Sequence, residues 1–124
     1  MLSFAFTDVA TKLVIWGMVW HLIADWILQN AWMSDNKSSL LHPASWVHSG
    51  IHLLGLLLIF PAWMAFIIAI IHLLIDTRVP LSWWRGFFRQ TREGDVALHV
   101  AMWSDQTAHI FIIALAALII GSMA

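Results

Sequence analysis

Four pairs of ionisable side chains recur at i, i+4 in this chain: His21/Asp25, His48/His52, His72/Asp76 and Asp105/His109. On a helix that spacing stacks both members on one face, one turn apart. It is also the spacing at which two helical side chains can bind one metal ion. Imidazole and carboxylate together suit Zn²⁺, Mn²⁺ or Fe²⁺, and the chain has no cysteine to supply a thiolate. His21, Asp25, His52, His72, Asp76, Asp105 and His109 are the candidate ligands, and His48 is left open because it lies close to a helix boundary. There are more donors than one ion needs. The surplus could form outer-sphere partners, a second metal site or an acid/base pair. Asp25 or Asp76 could act as general base, and Gln29 and Gln106 could orient ligands or substrate. For any single pair the alternative is a local hydrogen bond that neutralises a buried polar group. His42 and His99 fall near interfaces and carry no expected role.

The elements that must hold these residues are apolar. Of the 124 residues 61% are hydrophobic and 10% are charged, against about a quarter charged in soluble domains. The expectation is one integral membrane domain over 1–124. The formal charge of −1 gives no basis for nucleic-acid binding, and the sequence holds no fixed-period repeat. Met1–Phe6 has neither a basic stretch nor a small-residue cleavage site before the first apolar run, so no cleaved signal peptide is expected.

A helix needs about 20 mostly apolar residues to cross a bilayer. Val9–Gln29 and Ala97–Gly121 meet that length. Trp16, Trp20, Trp26 and Trp32 line or flank the first, as an interface belt would. The stretch from Pro43 to Arg78 would make one helix of about 50 Å, beyond any bilayer core. Pro61, in "FPAW", suits the first turn of a new helix. The reading is an all-α polytopic bundle of four transmembrane helices, the middle pair (44–60 and 61–78) forming a short hairpin broken at Pro61. A three-helix version with one long kinked helix is the alternative.

Four spans put segments 30–43 and 79–96 on one side, with Lys37, Arg85, Arg89 and Arg92, and leave only Lys12 on the other. The positive-inside rule makes the first side cytoplasmic and both termini external, in a bacterial inner membrane. "LSWWRGFFRQTR" (Leu81–Arg92) reads as an interfacial amphipathic segment, with Arg85, Arg89 and Arg92 on one face toward anionic headgroups. Lys37 could meet a phosphate headgroup as well. With these directions all four polar pairs fall in the cytoplasmic half of the membrane. In the three-helix version His48/His52 and His72/Asp76 would stand about 36 Å apart.

"HLIADWILQNAWMSDNK", "GIH", "IIHLLID" and "SDQTAH" together resemble a family of small bacterial and phage membrane proteins known as a domain of unknown function, with H-x-x-x-D-x-x-L-Q, W-M-x-x-x-K and D-Q-x-x-H motifs. The resemblance covers most of the chain. It implies motif roles for His21, Asp25, Gln29, Lys37, His52, His72, Asp76, Asp105, Gln106 and His109. Ile71 stands where a second histidine could precede His72. The resemblance implies fold and site but no activity.

Three functions compete. A membrane-embedded metal-dependent hydrolase of a lipid-linked or phosphate-bearing substrate accounts for the ligand surplus at one depth. A proton or metal transporter would spread polar groups across the bilayer. An accessory subunit of a larger membrane complex or oligomer, ligating haem through histidine, needs histidines but not paired aspartates.

Overall fold

In the computed structural model residues 7–90 and 93–124 are described, and all regular structure among them is helical. The readings at Met1–Phe6 and at Arg92 lie outside these residues. Thr7 caps α1 (Asp8–Leu22) by accepting the amide of Ala10 at 3.2 Å. The first apolar run does not continue as one α-helix to Gln29. It widens into a π turn over Ile23–Ile27, closed by Leu28 N–H donating to the Ile23 carbonyl at 3.0 Å. Asn30 then caps a short α2 (Ala31–Asn36).

His42 caps α3 (Pro43–Ile59) through Nδ1, which accepts the amide of Ala44. This local role fits its position at a boundary. The middle of the chain breaks at Phe60–Pro61, as the proline predicts, and α4 (Ala62–Asp76) follows. α5 (Val79–Phe87) is bent 62° from α4. Arg78, between them, takes the left-handed conformation at φ 67°. α5 stops before Arg89, which is left-handed too, at φ 55°. Arg89 N–H donates to the Gly86 carbonyl and Gln90 N–H to the Arg85 carbonyl, the Schellman pairing that ends a helix. Arg89 therefore does not share a helical face with Arg85. α6 (Gly94–Met123) is the longest element.

α1 and α4 each pack against both α3 and α6. The four long helices thus make a closed ring. One end is filled by Leu56, Phe60, Met64, Ala65, Ile68, Ile113, Ala116 and Ala117. Close helix approach depends on glycine at Gly55, where a Cβ would strike the Trp20 indole, whose Nε1 donates to the His52 carbonyl at 3.0 Å. The other end of the ring is polar inside, and the outer surface of the ring is apolar at both ends. His21, Asp25, His48, His52, His72, Asp76, Gln106 and His109 are buried, whereas Trp16, Trp26, Leu58, Phe66, Ile70 and Phe111 are exposed.

Among the described residues one helix, α6, is long and apolar enough to cross a membrane alone; α4 and α5 qualify only as a bent pair. α3 and α4, of 17 and 15 residues, reach only about 25 Å and 22 Å. Four independent spans therefore do not follow from helix length.

Candidate metal centre

Four elements bring their polar faces to one place. Asp25 sits in the middle of the π turn, His48 and His52 on α3, His72 and Asp76 on α4, and Gln106 and His109 on α6. The imidazoles crowd together. Ring centroids lie 3.8 Å apart for His52 and His72, 4.4 Å for His72 and His109, and 4.8 Å for His48 and His52.

Two carboxylates organise these rings. Asp25 Oδ1 is 2.9 Å from His52 Nε2 and 3.1 Å from His48 Nε2. Asp76 Oδ2 is 2.9 Å from His72 Nε2 and 3.3 Å from His48 Nε2, and its Oδ1 is 3.4 Å from His109 Nε2. His48, fully buried, thus faces both aspartates with one nitrogen. A single N–H cannot serve two carboxylates well.

The donor atoms of Asp25, His48, His52 and His72 all lie within 4.8 Å of one another, as do those of His72, Asp76 and His109. Either group could hold a metal ion. Bonds of about 2.0–2.2 Å around a tetrahedral ion set its donors roughly 3.3–3.6 Å apart. The contacts of 2.9–3.4 Å in the centre reach the lower edge of that spacing. Moreover, His48 Nε2, His72 Nε2, Asp76 Oδ1 and His109 Nε2 are buried without a well-formed hydrogen bond. Leaving such a group unsatisfied costs about 1–3 kcal/mol. Cations held by the two groups would satisfy them.

Outer contacts orient the donors. His109 Nδ1 lies 2.7 Å from the Asp105 carbonyl. A carbonyl only accepts, so Nδ1 carries the proton and Nε2 turns its lone pair to the centre. Gln106 Nε2 donates to Asp25 Oδ2 at 3.1 Å, which orients the amide, and Gln106 Oε1 then accepts from His21 Nε2 at 3.0 Å. His21 Nε2 is therefore a donor, 3.3 Å from Asp25 Oδ2, and stands outside both donor groups.

The sequence-expected residues divide accordingly. Asp25, His52, His72, Asp76 and His109 come together as donors. His21 and Gln106 support Asp25. Asp105 is outside both donor groups: its side chain keeps 24% of its exposure, lies 3.6 Å from His109 Nδ1 and accepts from Gln106 Nε2 at 3.2 Å. Gln29 and Lys37 lie at the mouth, where Lys37 Nζ is 3.9 Å from Asp76 Oδ1. His99 is exposed on α6. The residue underrated by sequence is His48. Its i, i+4 partnership with His52 was visible, but its place between Asp25 and Asp76, from two other elements, was not.

The fold and the site define an all-helical protein with a buried histidine–aspartate centre able to hold a metal ion. The chain belongs to the family described as "Protein of unknown function (DUF3307)", whose profile matches residues 13–124 and so includes every residue of the centre. No curated protein and no solved structure matches the chain.

Proposed function

We propose that this protein is a multi-pass inner-membrane, metal-dependent hydrolase of a lipid-linked or phosphate-bearing substrate, with its centre near the cytoplasmic face. One observation carries the reading: buried imidazole and carboxylate donors from four elements converge within 4.8 Å in two groups, with unsatisfied atoms pointing inward. The outward apolar side chains of α1, α3, α4 and α6 around this polar interior support a lipid environment. The donor set suits Zn²⁺, Mn²⁺ or Fe²⁺.

Asp25, His48, His52, His72, Asp76 and His109 hold the ion or ions. A divalent ion held there would supply Lewis acidity toward a water and toward the scissile group. Asp105 is the proton acceptor. Of the three aspartates that line the cleft, it is the one outside both donor groups. His21 and Gln106 position Asp25.

The deciding experiment is metal analysis of protein purified in mild detergent without chelator, beside a His52→Ala/His72→Ala variant. Stoichiometric zinc, manganese or iron in the parent, lost in the variant, is expected. A parent that retains no metal and gains no thermal stability from any of the three ions overturns the reading. A transporter instead predicts ion flux in liposomes. The closed apolar packing at the far end of the ring disfavours that path.

A further inference from the structure

A cleft of about 470 Å³ beside the centre is lined by Asp25, Asp76 and Asp105. Three cations from three chain segments line the walls: Lys37 at the end of α2, Arg78 at the α4–α5 bend and Arg85 on α5. Leu81, Leu98 and Met102 supply an apolar wall. Anionic, cationic and apolar sides fit one kind of ligand. Lys37, Arg78 and Arg85 would bind a phosphate, a divalent ion held by the nearby donors would add positive charge to it, and the apolar residues would take a hydrocarbon chain.

Two details separate this rim from ordinary surface charge. Arg78 and Arg85 form no ion pair among the described residues, although carboxylates line the same cleft. Arg78 also holds a left-handed backbone, at φ 67°, where glycine would be relaxed. Arg78 thus places a charge two residues past Asp76 at a backbone position that glycine would occupy without strain. In the same cleft the Gln29 side-chain oxygen is buried without a partner, so its amide is free to turn toward a ligand.

We propose that this cleft is the headgroup site for a phosphate monoester carried on an apolar chain, with the phosphate held by Lys37, Arg78 and Arg85 and the chain lying along Leu81, Leu98 and Met102. The assignment rests on the hydrolase reading for its chemistry, but it is tested by binding alone. A monoester dianion matches several cations at once, where a carboxylate would need a single arginine.

The test titrates the full chain, in neutral detergent, by calorimetry with dihexanoyl phosphatidic acid, inorganic phosphate and dihexanoyl phosphatidylcholine. The metal content of each sample is measured alongside. Phosphatidic acid should bind at least about tenfold more tightly than either of the other two, since each lacks one recognised part. Arg78→Gly and Arg85→Gln should each weaken it about tenfold, the loss of one charged hydrogen bond. Arg78→Gly relieves the backbone, so its melting temperature and metal content should hold, which separates lost binding from lost folding. Equal binding of phosphatidic acid and phosphatidylcholine overturns the proposal, as does parental affinity in both arginine variants. Inorganic phosphate binding as tightly as the lipid overturns the apolar half and points to a free phosphate. Metal present with no phosphatidic acid bound sinks the headgroup site while leaving the hydrolase reading intact; absent metal removes that reading instead.

Discussion

His52 and His72 face each other across the α3–α4 pair with ring centroids 3.8 Å apart, the closest of the imidazole contacts in the centre. His72 contributes to both donor groups, and His52 to one. Neither ring hydrogen-bonds the other. Each turns Nε2 to a different aspartate, His52 to Asp25 and His72 to Asp76.

The shared donor sets an order of effects. His72→Ala should strip metal from both groups, and His109→Ala from one. Elemental analysis of the purified variants should find less metal per chain in His72→Ala. Equal or greater loss in His109→Ala would contradict a common donor.

Gln106 acts on the centre through Asp25. Gln106→Leu keeps every metal donor but frees the Asp25 carboxylate and leaves His21 without its acceptor. Metal affinity should fall about 10–100-fold, and competition with a fluorescent chelator measures it. An affinity within twofold of the parent would remove Gln106 from the argument.

His48 separates two buried carboxylates. His48→Ala leaves Asp25 and Asp76 nearer to an uncompensated pair and opens a cavity. In metal-free protein the loss should be about 3–5 kcal/mol, the cost of breaking a buried charge pair by removing one partner. Unfolding in detergent with chelator present measures it, and a change under about 1 kcal/mol would show that His48 is not a bridge.

Asp105 separates metal binding from chemistry. Asp105→Asn should retain the ion while any hydrolytic rate falls about 10²–10⁴-fold, the usual contribution of a positioned acid or base. Loss of metal in step with activity would return Asp105 to the ligand set.

Gly55 tests the packing behind the site. Gly55→Ala puts a methyl into the Trp20 indole and threatens its bond to the His52 carbonyl. The expected cost is about 1–3 kcal/mol, read as a lowered melting temperature with a shift in tryptophan fluorescence. An unchanged melting temperature would mean that the indole moves aside freely.

Much of this centre was legible in the residues. The i, i+4 pairs named the faces, and Pro61 located the break that folds His72 back beside His52. What spacing cannot encode is rotation about each helix axis and cover from elsewhere. His48 and Asp105 exchange standing for that reason. His48 is met by Asp25 and Asp76 from two other elements, while the Asp105 carboxylate accepts from Gln106 and lines the cleft. Arg89 was misplaced because helical periodicity was carried through a Schellman ending that has no glycine to announce it. The π turn was missed because one added residue per turn leaves apolar composition unchanged.

That π turn also decouples two registers. An α-helix advances about 100° per residue, so in an unbroken helix any change in how α1 seats against α3 and α6 would swing Asp25 with it. The wide turn at Ile23–Ile27 acts as a phase adjuster. The outward-facing sequence of α1 can drift and its seating can slip, while the aspartate keeps its bearing on His48 and His52.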